Sequence, residues 1–229
     1  MKNADLKALK DLRAALKPLK PVFRNISSNG RKIPLENGRE IKVFGDLKPR
    51  ELAVNWLLAA VADHLYPDIH FTVATNPEGG DGQIYDLVSR TGLPTEHVIV
   101  RGGDGPADDL ILKAIQKKVE KGGKPYAGGK TLVVYRYSGG DKQQWYPNKL
   151  ARRLPKPLHF DAVWVVGFEG FFSGGMVYAV TRLVKGGSPI WWVTLAPDFL
   201  SWAITDDRPP MDAAEPDVAS QAASNQRNP

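Results

Sequence analysis

The chain contains no cysteine, which excludes disulfides, thiolate metal sites and thiol nucleophiles together. Histidine is scarce as well. His64, His70, His97 and His159 form no i,i+4 pair and no His-Glu-x-x-His arrangement, so no zinc site is offered and each reads as a structural histidine. There is no Gly-x-Ser-x-Gly elbow, and Ser173 lacks a glycine two residues before it, so serine-hydrolase chemistry has no support. Neither of the glycine-rich stretches, residues 79–82 and 102–105, is followed by Gly-Lys-Ser/Thr, and both read as turns after strands. The second opens a helix N-terminus, but Asp104, Asp108 and Asp109 cluster there and oppose a phosphate. Long apolar runs are also missing. The most apolar stretch, residues 189–204, is broken by Pro197 and Asp198 and falls short of the ~20 residues a membrane span requires. Residues 1–17 carry charges every few positions, unlike a secretory signal. The expectation is a cytoplasmic protein with no membrane partner.

What the sequence does have is charge in blocks. The net charge of +6 over 229 residues divides into +8 for residues 1–50, −8 for 51–112 and +10 for 113–156, with the remainder near neutral or acidic. Two basic blocks flanking an acidic one suit an electrostatically divided surface that steers a polyanion. The ordinary alternative is a solvated surface on which the blocks neutralise one another.

Leucines at positions 6, 9, 12 and 16 recur at helical spacing, which predicts a first helix over Ala4–Lys17, capped by Asn3 and stopped by Pro18. A hairpin is expected over residues 31–44. Ile33 and Leu35 alternate on one arm, Ile41 and Val43 on the other, and Asn37-Gly38 forms the turn. A second helix is expected from Pro49 to Leu65, then short strands over Ile69–Ala74, Gln83–Val88 and Val98–Arg101. The third helix is the best delimited. Pro106 opens it, Asp108 and Asp109 occupy its first turn, Lys117 and Lys118 its last, and Gly122-Gly123 end it. Ile111, Ile115 and Val119 are its expected buried stripe.

A strand over Thr131–Tyr137, a short basic helix over Asn148–Leu154 and strands over Ala162–Gly167, Met176–Val184 and Pro189–Leu195 follow. The Trp191-Trp192 pair should split across the two faces of its strand. The organisation expected is an N-terminal helix and hairpin (1–48), a core domain (49–205) and a tail (206–229) too poor in large apolar residues to fold. The fold class is α/β in the α+β sense, a mixed sheet flanked by helices in the order α-β-β-β-α-β with further C-terminal strands.

Two groups of residues have the chemistry of a site. Metal-dependent phosphodiester cleavage needs carboxylates converging on Mg²⁺ with a lysine near the attacking water. Glu51, Asp81, Asp86 and Glu96 are the candidates, with Asp81, Asp86 and Glu96 as the expected metal ligands; their ordinary reading is as solvated cap and loop carboxylates. The second group interleaves cations with rings: Tyr135, Arg136, Tyr137, Lys142, Trp145, Tyr146, Lys149, Arg152 and Arg153. Cations for phosphates and rings for bases are what nucleic-acid surfaces use, and Trp145, Lys149, Arg152 and Arg153 are the expected contacts. The ordinary alternative has the rings capping the core and the cations facing water.

The order of elements, with LILKAIQKKVEKGGKPYAGGKTLVVYRYSG and FDAVWVVGFEG, resembles the PD-(D/E)XK nuclease-like superfamily and uncharacterised bacterial proteins associated with that restriction-endonuclease-like fold, over about residues 50–185. The resemblance implies a divalent-metal-dependent nuclease. It also meets a departure: the family pattern wants an acidic residue, one spacer and lysine on the third strand, but Glu96 is followed at that place by Val98. Some members move the lysine to the next helix, where Lys113 or Lys117 would serve. Arg101 cannot substitute as a proton donor or acceptor, because it stays protonated. The expectation is therefore a nucleic-acid-binding protein with a nuclease-like core and no established catalysis, or else an interaction or regulatory factor that uses the same surface for a protein partner.

Overall fold

A computed structural model of the chain describes residues 11–27, 49–76, 80–137 and 144–212. The expected hairpin over residues 31–44, Lys142, the first residues of the expected N-terminal helix and the tail beyond 212 lie outside the described residues.

The elements are helices α1 (Leu12–Ser27) and α2 (Pro49–Leu65), strands β1 (Phe71–Ala74), β2 (Gln83–Asp86) and β3 (Thr91–Val100), helix α3 (Ala107–Glu120), the short α4 (Gly123–Ala127), strand β4 (Thr131–Arg136), helix α5 (Pro147–Arg152), and strands β5 (Ala162–Phe172), β6 (Gly175–Arg182), β7 (Ile190–Leu195) and β8 (Trp202–Thr205). The eight strands make one mixed, curled sheet in sequential order. β1, β2 and β3 form an antiparallel meander, β3, β4 and β5 run parallel, and β5 to β8 return to antiparallel pairing. The two parallel steps are the ones bridged by helices, as parallel neighbours require a crossover. The architecture is α+β, as the element pattern implied.

The sheet is buried on both faces at its centre. On β4, Val133 and Tyr135 face the core shared with α1 and α2, while Leu132 and Val134 face a second core with Ile111 and Ile115 of α3 and Leu150 and Ala151 of α5. That two-sided burial explains why β4 reads as a continuous apolar run rather than an alternating one. β7 does alternate: Trp191, Val193 and Leu195 are buried, while Trp192 faces outward under the Arg208 guanidinium.

Two expectations change at the ends of the chain. Helix α1 does not stop at Pro18; it runs through Pro18 and Pro21 to Ser27. Both prolines are exposed, whereas Leu12, Leu16, Leu19 and Phe23 are buried at i, i+3 and i+4 spacing. Each fully buried large side chain stabilises by about 1.5–3 kcal/mol, and four of them outweigh about 3 kcal/mol of lost propensity per proline. The Trp56 indole N–H donates to the Leu12 carbonyl at 2.8 Å, and the Tyr178 hydroxyl to that of Phe23 at 3.2 Å, which ties α1 to the fold at both ends.

At the other end, β8 was not expected, and residues 206–212 are not part of a free tail. The Asp212 carboxylate accepts the backbone N–H groups of Ser173 and Gly174, both at 3.1 Å, and its own N–H donates to the Phe171 carbonyl at 2.7 Å. Ser173 and Gly174 are the β5–β6 turn, and both have positive φ, as a two-residue hairpin turn needs. The folded unit thus extends to residue 212.

Candidate nucleic-acid interface

The acidic candidates separate into two places. Asp81 lies just before β2, beside the middle of β3, where its Oδ2 accepts the His97 N–H at 2.7 Å. Glu96 sits on β3 next to it, buried, with Lys118 Nζ 2.5 Å from its Oε1. The Tyr126 hydroxyl is hydrogen-bonded to Glu96, and burial first, then this bond and the charges of Glu96 and Asp81, push its pKa up. Asp81 and Glu96 are therefore neighbours. Asp86 is not with them. It ends β2 opposite Thr91, where its carboxylate caps the β2–β3 turn through the N–H groups of Val88 and Ser89 and the Ser89 hydroxyl. The Ser89 hydroxyl chiefly holds the Asp86 pKa below the usual carboxylate value.

The expected triad of Asp81, Asp86 and Glu96 is thus not assembled. Glu51 is buried in the first turn of α2 beside Arg50, whose guanidinium Nη2 is 3.5 Å from its Oε1. Lys117 is exposed, and the lysine that meets Glu96 is its neighbour Lys118. Among the described residues no three His, Asp or Glu side chains form a group able to hold a metal ion. Asp81 and Glu96 alone suit Mg²⁺ only in company with substrate oxygens and water.

Arginines gather at the carboxyl ends of the parallel strands. Arg101 follows β3, Arg136 ends β4, and Arg50 lies close enough to feel the charges of Glu51, Asp81 and Arg101. Burial lowers the Arg50 pKa from its ordinary value, and the two carboxylates oppose that effect. Arg136 is fixed by Glu169 of β5 at 2.6 Å, whereas Arg101 is exposed and makes no ion pair among the described residues. Between these ends lies a shallow cleft, open to solvent and lined by Val100, Arg101, Gly102, Ala107, Leu110, Arg136 and Tyr137.

The basic–aromatic segment adjoins this edge through the first turn of α3. The buried Asp108 accepts the Tyr146 N–H at 2.9 Å, and Asp109 pairs with Arg153 at 2.7 Å. Two of the three aspartates expected to repel an anion are therefore engaged elsewhere. On α5, Leu150 and Ala151 are buried and Lys149 and Arg152 are exposed. The rings do not sit as expected. Trp145 packs against the second core, and Tyr135 is fully buried. The exposed ring of this segment is Tyr146, half in solvent at 51%.

Comparison with family models, with curated proteins and with solved structures returns no match. Sequence reasoning missed Lys118, Tyr126 and Arg50. For Lys118 a signal existed: it stands three residues after the buried Ile115, on the same side of the helix, whereas Lys113 and Lys117 do not.

Proposed function

We propose that this chain is a nucleic-acid-binding protein with a nuclease-like core, and that its activity is binding rather than hydrolysis. The observation that carries the reading is the exposure of Arg101 after β3 and of Tyr146, Lys149 and Arg152 in and just before α5, a segment tied to the start of α3 by the Tyr146–Asp108 and Arg153–Asp109 contacts. Exposed cations beside an exposed ring meet phosphates and bases respectively.

The element order α2-β1-β2-β3-α3-β4, with β3 and β4 parallel, supports the nuclease-like part of the reading, as does a lysine supplied by the helix after the third strand. The carboxylates support binding over hydrolysis. Asp81 is committed to the His97 backbone and Glu96 to Lys118 and Tyr126. This donor set does not fit a resident metal ion.

The reading is tested by fluorescence anisotropy of labelled single-stranded and duplex DNA at low salt. Saturable binding weakened by Arg152→Ala with Lys149→Ala is the expected result; no binding to either form rejects it. A second reading, a docking surface for a protein partner, is favoured by the exposure of Leu65, Tyr66, Leu87 and Val88 around the α2–β1 connection and the β2–β3 turn. Binding of neither DNA form, with self-association or partner capture lost on Val88→Asp, would place this reading first.

A further inference from the structure

Helices α3 and α5 and the short α4 pack on one face of the sheet, through Ile111, Ile115, Ala127, Leu150 and Ala151, while α1 and α2 cover the other. That placement gathers the second basic block of the sequence on one side of the molecule. Over residues 110–130 six lysines stand against one glutamate.

The lysines fall in a line. Asp109, Lys113, Lys117 and Lys121 follow at four-residue steps and are all exposed, so they form a row along α3 on the side away from Ile111 and Ile115. At 1.5 Å of rise per residue, Lys113 to Lys121 covers about 12 Å. The head of the row joins α5, since Asp109 pairs with Arg153 at 2.7 Å. At its far end Lys121 and Lys130 flank the Tyr126 ring, 4.8 and 4.9 Å from its centroid.

The carboxylates of this face are occupied or remote. Glu96 is held by Lys118, the buried Asp108 accepts the Tyr146 N–H, and Asp161 accepts the Gly129 N–H at 3.3 Å. Glu120, exposed, accepts from the Gln116 amide at 2.9 Å. Asp104 precedes α3, at the end away from Lys121. Lys113, Lys117, Lys121 and Lys124 are exposed, and none enters an ion pair among the described residues. Like charges at four-residue spacing destabilise a helix slightly, a cost that an anionic partner lying along the row removes.

The same face has no apolar anchor. Among the described residues no large exposed apolar side chain lies on α3 or α4, whereas a protein interface has a hydrophobic centre and a helix lying on lipid buries an apolar side. It has no free ring either, because Tyr126 packs edge-on against Phe160 between the two lysines. Surfaces for single strands interleave rings with cations. Cations alone suit the phosphate backbone of a duplex.

We propose that the row Lys113–Lys117–Lys121 holds the phosphate backbone of double-stranded nucleic acid and extends the contact of α5 along the same face of the sheet, an assignment that rests on the nucleic-acid reading and names the form bound. Phosphate contacts of this kind position the duplex and carry no base sequence.

Anisotropy titrations of a labelled DNA duplex across a range of salt concentrations test it. Lys113→Ala with Lys117→Ala should lower the magnitude of the log–log salt slope by about 1–2 units, at about 0.9 for each phosphate. The melting temperature should not fall, since alanine is the better helix former. Arg13→Ala with Lys17→Ala removes the same charge from exposed positions of α1, on the other face, and should leave the slope unchanged. An equal response to the two double variants means that only net charge is felt, and overturns the proposal. An unchanged slope in the α3 variant, where loss of Lys149 and Arg152 lowers it, also overturns it and leaves the wider reading standing. A change confined to single-strand binding overturns the duplex assignment. No binding to any DNA overturns both readings, and binding instead to vesicles of phosphatidylserine and phosphatidylcholine, lost in the α3 variant, would assign the row to an anionic lipid surface.

Discussion

Lys118, near the end of α3, reaches across to β3 and places its Nζ 2.5 Å from Oε1 of Glu96. Both side chains are largely shielded, with 19% and 9% of their surfaces exposed. Such a pair lies between an exposed one, worth ~0–1 kcal/mol, and a fully buried one, where loss of one partner costs about 3–5 kcal/mol. Lys118→Ala should therefore destabilise by roughly 1–3 kcal/mol in chemical denaturation. Lys118→Met combined with Glu96→Gln should recover part of that loss, since no unpaired charge then remains. Additive single effects would show that the two groups do not depend on each other.

The side of α3 that carries this lysine was legible before the contact was. Ile111, Ile115 and Lys118 follow at steps of four and three residues, so the helical period that predicts the buried stripe also selects Lys118. The early part of β3 was hidden for a different reason. Residues 91–94 include Gly92 and Pro94, poor strand formers, and Pro94 stands where β3 changes from pairing with β2 to pairing with β4. Helix α1 was cut short because local propensity counts Pro18 as a stop, while the tertiary burial that overrides it is invisible in a local window. The separation of Asp86 from Asp81 is set by strand direction: the two lie at opposite ends of β2, a fact about topology that composition does not carry. The clustering of Arg50, Arg101 and Arg136 has the same origin, since it joins three distant stretches of chain.

Ile115 tests the second core. It is fully buried among Val100, Leu132 and Val134. Ile115→Ala should cost roughly 2–4 kcal/mol from lost transfer energy and the residual cavity. A loss under about 0.5 kcal/mol in urea denaturation would be a surface-like value and would contradict the packing of α3 on the sheet.

Residues 206–212 supply a further test. Because the Asp212 carboxylate satisfies both N–H groups of the β5–β6 turn, it acts there as a cap does at a helix start. Asp212→Ala should destabilise by about 0.5–2 kcal/mol, the range for losing a capping side chain. Truncation after Thr205 should lower the melting temperature at least as far. An unchanged melting temperature in both would show that this segment contributes nothing to the turn.

Asp63 gives a pH test. Its Oδ1 accepts the Phe71 N–H at 2.6 Å, yet burial is the largest influence and raises its pKa, against the opposing effects of that bond and of His70. A carboxyl with a raised folded pKa binds protons more readily in the native state, so its contribution is complete below the unfolded value of 3.8 and declines as pH rises through the folded pKa. Asp63→Asn keeps the acceptor and removes the charge. Its melting temperature should equal or exceed the parent's at neutral pH, with the difference shrinking toward acid pH. A less stable variant at neutral pH would mean that the bond to the ionised form outweighs burial.

The two rings beside α5 separate binding from packing. Trp145 rests on the second core, so Trp145→Ala should destabilise by roughly 1–3 kcal/mol, below the ~3–5 kcal/mol of a fully buried ring. Tyr146 is 51% exposed, so Tyr146→Ala should leave stability nearly unchanged and weaken single-strand binding by about 1–3 kcal/mol, the range for one stacked base. The cations act differently, through release of the counterions condensed on the strand. Replacing Lys149 and Arg152 together by Ala should lower the magnitude of the log–log salt slope by about 1–2 units, with little change in the Tyr146 effect. Arg153 is already paired with Asp109, so Arg153→Ala should change the slope by less than either exposed cation. Equal slope changes for Arg153 and Arg152 would mean that the pair with Asp109 opens on binding. A slope that does not respond to Lys149 and Arg152 would make α5 a merely solvated face and move the protein-partner reading ahead.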